Sequence, residues 1–321
     1  MNAHPWLSVL IPTYNGDQYL KDTLNSILEQ NERNVEYIII DDGSTDRTLS
    51  IIKNYEDKIP IKLFERKRIG NWVANTNFAL QNASGDYVCL LHQDDLWLNN
   101  RLKIIKEILN DYPDTDLLLH PSIFINDRGK KLGLWTCPLP AFPKYVDRDI
   151  LIESLLIQNF ISIPAPIFKR EIALQVGGMN EKLWYTADWD LWLKIAFHKR
   201  DEKIIYYPYP LSAFRIHSSS QTVVRSSKTG EFYNQLNVVA HDCLDRWDVS
   251  AYRKKRIRSL AEFSIQVNTI LARMAHGKGS RLELIKLLLS SCSLGFLGVY
   301  KYLRYSRIHE RIIARLKANI I

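Results

Sequence analysis

The sequence predicts an α/β domain built on a mainly parallel, Rossmann-like sheet flanked by helices, with a C-terminal helical extension. Short apolar runs alternate with helical patterns through the first half, turn chemistry separates the two, and beyond about Ser226 only helical periodicity is left. Residues 7–11, 37–40, 61–64, 87–91 and 117–119 read as strands. Between them, 19–30, 46–54, 73–82 and 101–111 read as amphipathic helices. The separators are Asn15-Gly16, Asp42-Gly43-Ser44 and Ser84-Gly85-Asp86, and either Ser44 or Asp46 can cap the second helix. From about 121 to 225 prolines and aromatic residues loosen the pattern. Residues 188–198 then resume a helix with Leu191, Trp192, Ile195 and Ala196 on its apolar face. The expected division is a catalytic domain at 1–225 and a helical, basic region at 226–321.

Composition bounds the function. The chain has 321 residues, 46% hydrophobic and 24% charged, enough for a full-sized core and unlike a disordered or collagen-like chain. Cys89, Cys137, Cys243 and Cys292 are widely spaced with no C-x-x-C pair, which fits reduced thiols in a cytoplasmic protein rather than a zinc knuckle or disulfide scaffold. The net charge of +8 is uneven. Residues 1–250 carry 28 Lys/Arg against 32 Asp/Glu, and residues 251–321 carry 15 against 3. The slightly acidic body argues against nucleic acid, and the basic tail calls for an anionic partner. In residues 282–303, Leu282, Ile285, Leu289, Cys292, Phe296, Val299 and Leu303 recur at helical spacing beside Lys286, Lys301 and Arg304. This points to the inner face of a plasma membrane, against a helix packed on the catalytic domain as the alternative. The longest uncharged stretch, 287–300, would span only about 21 Å as a helix, so no segment is expected to cross a bilayer; the N-terminus lacks the basic region of a signal peptide.

Glycine-rich phosphate loops, H-E-x-x-H and G-x-S-x-G are all missing. The chemistry therefore rests on polar residues at strand ends, where a doubly wound sheet binds its ligand. These are Pro12, Thr13, Tyr14 and Asn15, then Asp41 and Asp42, then His92, Gln93, Asp94 and Asp95. Asp41-Asp42 reads either as a helix cap and turn or as an acceptor for a base or ribose. In Asp94-Asp95, neighbouring side chains of an extended segment point to opposite sides, so one carboxylate takes a sugar hydroxyl and the other a hard divalent cation. Asp188 opens a helix, as a cap or as a general base kept ionised by the helix dipole. His217 is a structural histidine or a ligand.

Taken together, SVLIPTYNG, IIIDDGSTDRT, NASGDYVCLLHQDD, ADWDLWLKI and FRIH resemble the family-2 inverting glycosyltransferases of GT-A type, over roughly residues 6–220 and in the right order. The resemblance implies a nucleotide-sugar site in which Thr13 and Tyr14 line the base, with Pro12, Asn15 and Gln93 in the same loops. Asp42 reads the uracil or thymine edge, and Asn71 falls at a nucleotide-side position where an arginine is common. Asp94 binds ribose, Asp95 binds Mg²⁺ or Mn²⁺, and His217 lies near metal and diphosphate. Asp188 is the general base; Ala187 replaces its usual acidic neighbour and removes that neighbour's contact to the acceptor.

The implied activity moves one sugar from a UDP- or dTDP-sugar to a hydroxyl of a glycan or lipid-linked acceptor in cell-surface polysaccharide biosynthesis. The Q-x-x-R-W motif of processive synthases is missing. A sugar-1-phosphate nucleotidyltransferase and a catalytically degenerate nucleotide-sugar-binding protein are the alternatives.

Overall fold

The structure, a computed structural model, describes residues 4–319 apart from 142–143, 200, 202, 221–223 and 227. The chain divides into two compact units. The first takes residues up to Ile123, Pro140–Arg148 and Ile161–Arg215; the second takes Phe124–Leu139, Asp149–Phe160 and the chain from Ile216 onward. Where the sequence suggests one cut near 225, two short excursions from the first half belong to the helical unit.

The first unit holds a seven-stranded sheet. Its strands are β1 (Leu7–Thr13), β2 (Val35–Asp41), β3 (Ile61–Glu65), β4 (Tyr87–Leu90), β6 (Leu117–Leu119), β9 (Ile167–Lys169) and β10 (Ile204–Tyr206). The spatial order is β10-β6-β9-β4-β1-β2-β3, parallel except that β9 runs antiparallel to both β4 and β6. β1 and β2 are apolar on both faces because helices cover both sides of a parallel sheet. Leu7, Val9 and Ile11 pack with Tyr37 and Ile39 and with Leu20, Leu24 and Ile27 of α1 (Leu20–Leu28). Further helices of this unit are α2 (Thr48–Lys53), α3 (Trp72–Gln81), α4 (Arg101–Asp111), α6 (Arg170–Gln175) and α7 (Ala187–His198). A short strand β5 (Leu96–Trp97) pairs antiparallel with β11 (Ser212–Arg215).

Pro12 sits inside β1 without breaking it. The β1–β4 pairing ends at Leu10 and Leu90, so the missing N–H falls where the ladder to β4 has stopped, while pairing to β2 runs on to Thr13 and Asp41. That divergence of β4 from β1 opens the carboxyl end of the sheet.

In the second unit a hairpin, β7 (Ser122–Ile125) and β8 (Lys131–Trp135), turns at Asn126–Lys130. The helices are α5 (Arg148–Ile157), α8 (Thr229–Arg246), α9 (Ala251–Ala275), α10 (Arg281–Ser306) and α11 (Ile308–Lys317). Their acidic partners come from the excursions. Glu153 of α5 takes Arg253 and Arg256, the Trp247 ring N–H donates to Asp149, and Gln158 accepts from Ser264 and Asn268. Glu310 on α11 accepts from the Thr136 N–H and hydroxyl, both at 2.8 Å.

α10 departs from expectation. The uncharged stretch 287–300 is the middle of a 26-residue helix, because Lys286 and Lys301 continue it rather than end it. Among the described residues it is the one helix long and apolar enough to cross a membrane by length and composition, which corrects the estimate from uncharged length alone. Gly295, at φ 65 and ψ 170, breaks its backbone near the middle. The apolar residues also face outward: Phe296 is 91% exposed, and Leu282, Ile285, Leu289 and Leu303 are exposed with it.

One polar clamp ties the amino ends of three strands. The Glu36 carboxylate on β2 accepts from the Ser8 hydroxyl of β1 at 2.5 Å, from the Ser84 N–H at 2.6 Å and from the Ser84 hydroxyl at 2.9 Å, with the Gly85 N–H at 3.2 Å. A Cβ on Gly85 would lie 2.8 Å from the backbone of Leu7 and Ser8, so only glycine lets the turn come this close. Burial raises the Glu36 pKa, but the Ser8, Ser84 and Gly85 bonds outweigh it and hold the carboxyl below its ordinary value. Glu36→Gln should cost roughly 1–3 kcal/mol in urea unfolding near neutral pH. A lowered folded pKa stabilises above the unfolded value and loses that stabilisation as pH falls, so the gap between the two proteins should shrink below about pH 4.3. A gap that stays constant with pH would contradict the charged clamp.

Candidate active site

The carboxyl ends of β1, β2 and β4 converge on one cluster of loops. Past β1, Tyr14 and Asn15 are exposed, and Asn15 takes a left-handed φ of 44°. Asn15 bridges to the loop after β2, its N–H donating to the Ser44 hydroxyl and its side-chain oxygen accepting from the Thr45 N–H. Gln93 grips the same loop in both directions. Its carbonyl accepts from the Tyr14 N–H at 2.8 Å and its amide donates to the Tyr14 carbonyl at 3.1 Å. A Cβ on Gly16 would stand 2.4 Å from the Gln93 amide, which explains the glycine there.

The two carboxylates after β2 divide the two roles left open by the sequence. Asp41 forms the turn, accepting from the Ser44 N–H and hydroxyl and from the Thr13 hydroxyl. Asp42, 2% exposed, accepts from the Ile69 and Gly70 N–H groups and pairs with Arg68 at 2.7 Å. The Arg68 guanidinium also lies over the Tyr14 ring, 3.2 Å from its centroid. Of the two candidate caps, Asp46 is the one that bonds the Thr48 N–H, whereas Ser44 serves Asp41. Asn71 caps α3, accepting from the Val73 and Ala74 N–H groups while its amide donates to the Glu181 carbonyl. Both ends of that side chain are therefore engaged in structure, and the cation beside Asp42 is Arg68.

After β4 the chain does not stay extended. The Asp95 N–H bonds the His92 carbonyl at 3.2 Å, closing a turn over 92–95. The expectation that Asp94 and Asp95 point apart is thereby corrected: one ligand atom from each of His92, Asp94 and Asp95 lies within 4.8 Å of the others. The Thr23 hydroxyl donates to the carbonyls of Gln93 and Asp95 and pins the turn to α1. Arg215 holds it from β11, its N–H donating to Asp95 Oδ1 at 3.0 Å and its Nε to the Asp94 carbonyl at 2.8 Å.

Electrostatics at this turn are strained toward a cation. Burial pushes the Asp95 carboxyl well above the usual carboxylate range; the neighbouring Asp94 charge adds to this and Arg215 opposes it. Burial pushes His92 down, which favours its neutral imidazole. Asp95 Oδ2 and His92 Nε2 are buried with no hydrogen-bond partner among the described residues. Two orphaned lone-pair carriers beside a third ligand suit a divalent cation held by oxygen and nitrogen.

Asp188 is the second residue of α7, behind Thr186 at the cap position, so it is not the cap itself. Asp190, two residues on, is buried and paired with Lys194 at 2.7 Å. His217 belongs to the second unit, two residues beyond β11, with Nδ1 2.8 Å from the Ser219 hydroxyl.

Sequence reasoning placed His92 at a strand end without giving it a role, and it passed over Arg68, Thr23 and Arg215. Arg68 was hidden in the charge run from Glu65 to Arg68, and Arg215 lay in the same FRIH motif that drew attention to His217.

The fold and this loop cluster define a nucleotide-sugar-type α/β transferase. Residues 8–159 match the family described as glycosyl transferase family 2. It is similar to an uncharacterised glycosyltransferase of Rickettsia typhi, 29% identical over 71% of this chain and 69% of that one. Among solved structures, S. aureus TarS 1-349 in complex with UDP-GlcNAc shares the fold at TM-score 0.65 and 19% identity, covering 98% of this chain and 90% of that segment. A longer TarS structure is covered over 43% of its length. The mannosyltransferase PcManGT of Pyrobaculum calidifontis, in complex with GDP-Man and Mn²⁺, aligns at TM-score 0.57 and 20% identity over 98% of this chain and 87% of that one. The protein is a glycosyltransferase with a GT-A fold.

Proposed function

We propose that the enzyme transfers one glycosyl group from a UDP- or dTDP-sugar, with inversion and with a divalent cation, to a hydroxyl of a glycan or lipid-linked acceptor in cell-surface polysaccharide biosynthesis. The observation that carries this reading is the inequality of the two carboxylates on α7. Asp190 is buried and committed to Lys194, whereas Asp188, in the same first turn, is only half-buried and reaches the surface.

In this mechanism Thr13 and Tyr14 line the base and Asp42 accepts its N–H edge, steadied by Arg68 and the Ile69 and Gly70 amides. Pro12, Asn15 and Gln93 fix the shape of that loop, and Asn71 acts through the α3 cap beside it. Asp94 takes the ribose hydroxyls. Asp95 would hold Mg²⁺ or Mn²⁺, which when bound neutralises the diphosphate as it leaves; His217, on the resemblance alone, serves the diphosphate and not the cation. Asp188 removes the acceptor hydroxyl's proton on the face opposite the diphosphate, so the new bond forms in line as the old one breaks and no enzyme nucleophile is needed. Support from outside the chain is the UDP-GlcNAc and the GDP-Man with Mn²⁺ bound in proteins of the same fold.

Asp188→Asn keeps size and removes the basic oxygen. Turnover should fall by about 10²–10⁴ while UDP affinity and melting temperature hold. Asp190→Asn should instead lower melting temperature by breaking the Lys194 pair. If the turnover loss belongs to Asp190→Asn, the base is the other carboxylate.

We further infer that the enzyme works on the inner, cytoplasmic face of an anionic membrane through α10. Its apolar residues are turned outward, and Lys286, Lys301 and Arg304 border them. The break at Gly295 favours lying on the surface over crossing it. Each half, 14 and 11 residues, reaches only about 21 and 16 Å, and a broken backbone is costly in hydrocarbon. Each cation near anionic lipid contributes about 1 kcal/mol, so binding should be reversible and salt-sensitive. In flotation the protein should rise with phosphatidylserine-containing vesicles and stay down with neutral ones, and Phe296→Asp should abolish the difference. Equal recovery with both vesicles, or none with either, contradicts it.

A further inference from the structure

Resting on the reading of a cation at the β4 turn, we propose that His92 supplies a nitrogen ligand to that cation and gives the site a preference for Mn²⁺ over Mg²⁺. The geometry comes from the turn itself. The bond from the Asp95 N–H to the His92 carbonyl folds residue 92 back over residues 94 and 95, and one ligand atom of each falls within 4.8 Å of the others. Without this turn, His92 would be merely the last residue of a strand.

Independent observations show that the cluster is more than three polar residues close in sequence. Asp95 is 1% exposed, and although Oδ1 accepts from the Arg215 N–H, Oδ2 is buried with no hydrogen-bond partner among the described residues. An unmade bond on a buried acceptor is costly, so its persistence calls for a ligand. His92 repeats the pattern through its own orphaned Nε2. Its ring is held against the Trp72 indole, centroids 5.1 Å apart and edge-on, and Trp72 is fixed in turn by donating its N–H to the Trp184 carbonyl at 2.8 Å. A histidine packed this way has little rotamer freedom to lose when it binds an ion.

The ligand set decides the metal class. Mg²⁺ takes oxygen ligands and keeps its waters, whereas Mn²⁺, the first and weakest binder of the transition-ion order, accepts an imidazole nitrogen more readily than Mg²⁺ does. A site that joins the His92 imidazole to the Asp95 carboxylate therefore ranks Mn²⁺ above Mg²⁺, and an all-oxygen version loses most of that ranking.

The test uses the full chain with Mn²⁺ and UDP. Electron spin-echo modulation of bound Mn²⁺ detects a coordinated imidazole nitrogen directly. That ¹⁴N coupling should be present in the wild type, persist in His217→Asn and vanish in His92→Asn. By titration calorimetry, His92→Asn should weaken Mn²⁺ at least as much as losing an outer-shell partner does, 10–100-fold, with a much smaller effect on Mg²⁺. His92→Asp should retain cation binding without the nitrogen coupling and move the preference toward Mg²⁺, which guards against a variant that fails to fold. Mn²⁺ bound without ¹⁴N coupling, or coupling lost only in His217→Asn, overturns the role of His92 and leaves the cation reading intact. No Mn²⁺ binding with UDP present overturns both.

Discussion

Beyond the Ser8–Glu36 clamp at their amino ends, β1 and β2 are buried on both faces and carry no further charged side chain until their carboxyl ends. The candidate binding groups of the loop cluster therefore appear where a strand stops pairing. Pro12 and Thr13 lie where β1 loses β4, Asp41 and Asp42 where β2 ends, and His92 to Asp95 where β4 turns. The same divergence of strands that makes room for a ligand leaves backbone groups to be satisfied by side chains. Gln93 on Tyr14, Asn15 on Ser44 and Thr45, and Asp42 on Ile69 and Gly70 do this. The loops are thus preorganised by bonds among themselves, and a donor meets a surface already shaped.

Charge is arranged in opposition across this cluster. Asp42 has Arg68 within 2.7 Å, so its burial is compensated within the chain. Asp95 accepts the Arg215 backbone N–H on Oδ1, while Oδ2 is buried with no hydrogen-bond partner among the described residues. The first carboxylate is satisfied within the chain, and the second is the one we assign to a cation. On α7, Lys194 compensates Asp190 in the way Arg68 compensates Asp42.

Much of this was legible in the sequence because it is local. Strands β1, β2, β3, β4 and β6 and helices α1 to α4 announce themselves by apolar period and turn residues, and the structure finds each within a few positions. β9 and β10 escaped because they lie in the proline- and aromatic-rich stretch where the pattern loosens, and β9 is the strand that turns a parallel sheet into a mixed one. The candidate carboxylates were legible because a hydrophobic strand ending in Asp-Asp is unusual. Their division of labour was not. Which of Asp41 and Asp42 makes the turn, and whether Asp94 and Asp95 diverge, depend on hydrogen bonds to Ser44, Arg68 and Arg215 that lie 3 to 121 positions away. The role of His92, whose place at a strand end was plain, stayed hidden for the same reason: only the closed turn brings it to the carboxylates. In the tail, periodicity gave the apolar face of α10 but could not tell inward from outward.

The account depends on a single displacement driven by Asp188, and the stereochemistry of the first product tests that most directly. With an α-linked UDP-sugar, proton NMR of the earliest glycosidic product, or of the sugar first released to water, should show the β anomer before any mutarotation. An α anomer appearing first would mean a double displacement or attack from the face of the leaving diphosphate, and either would contradict the assignment of Asp188 as the base.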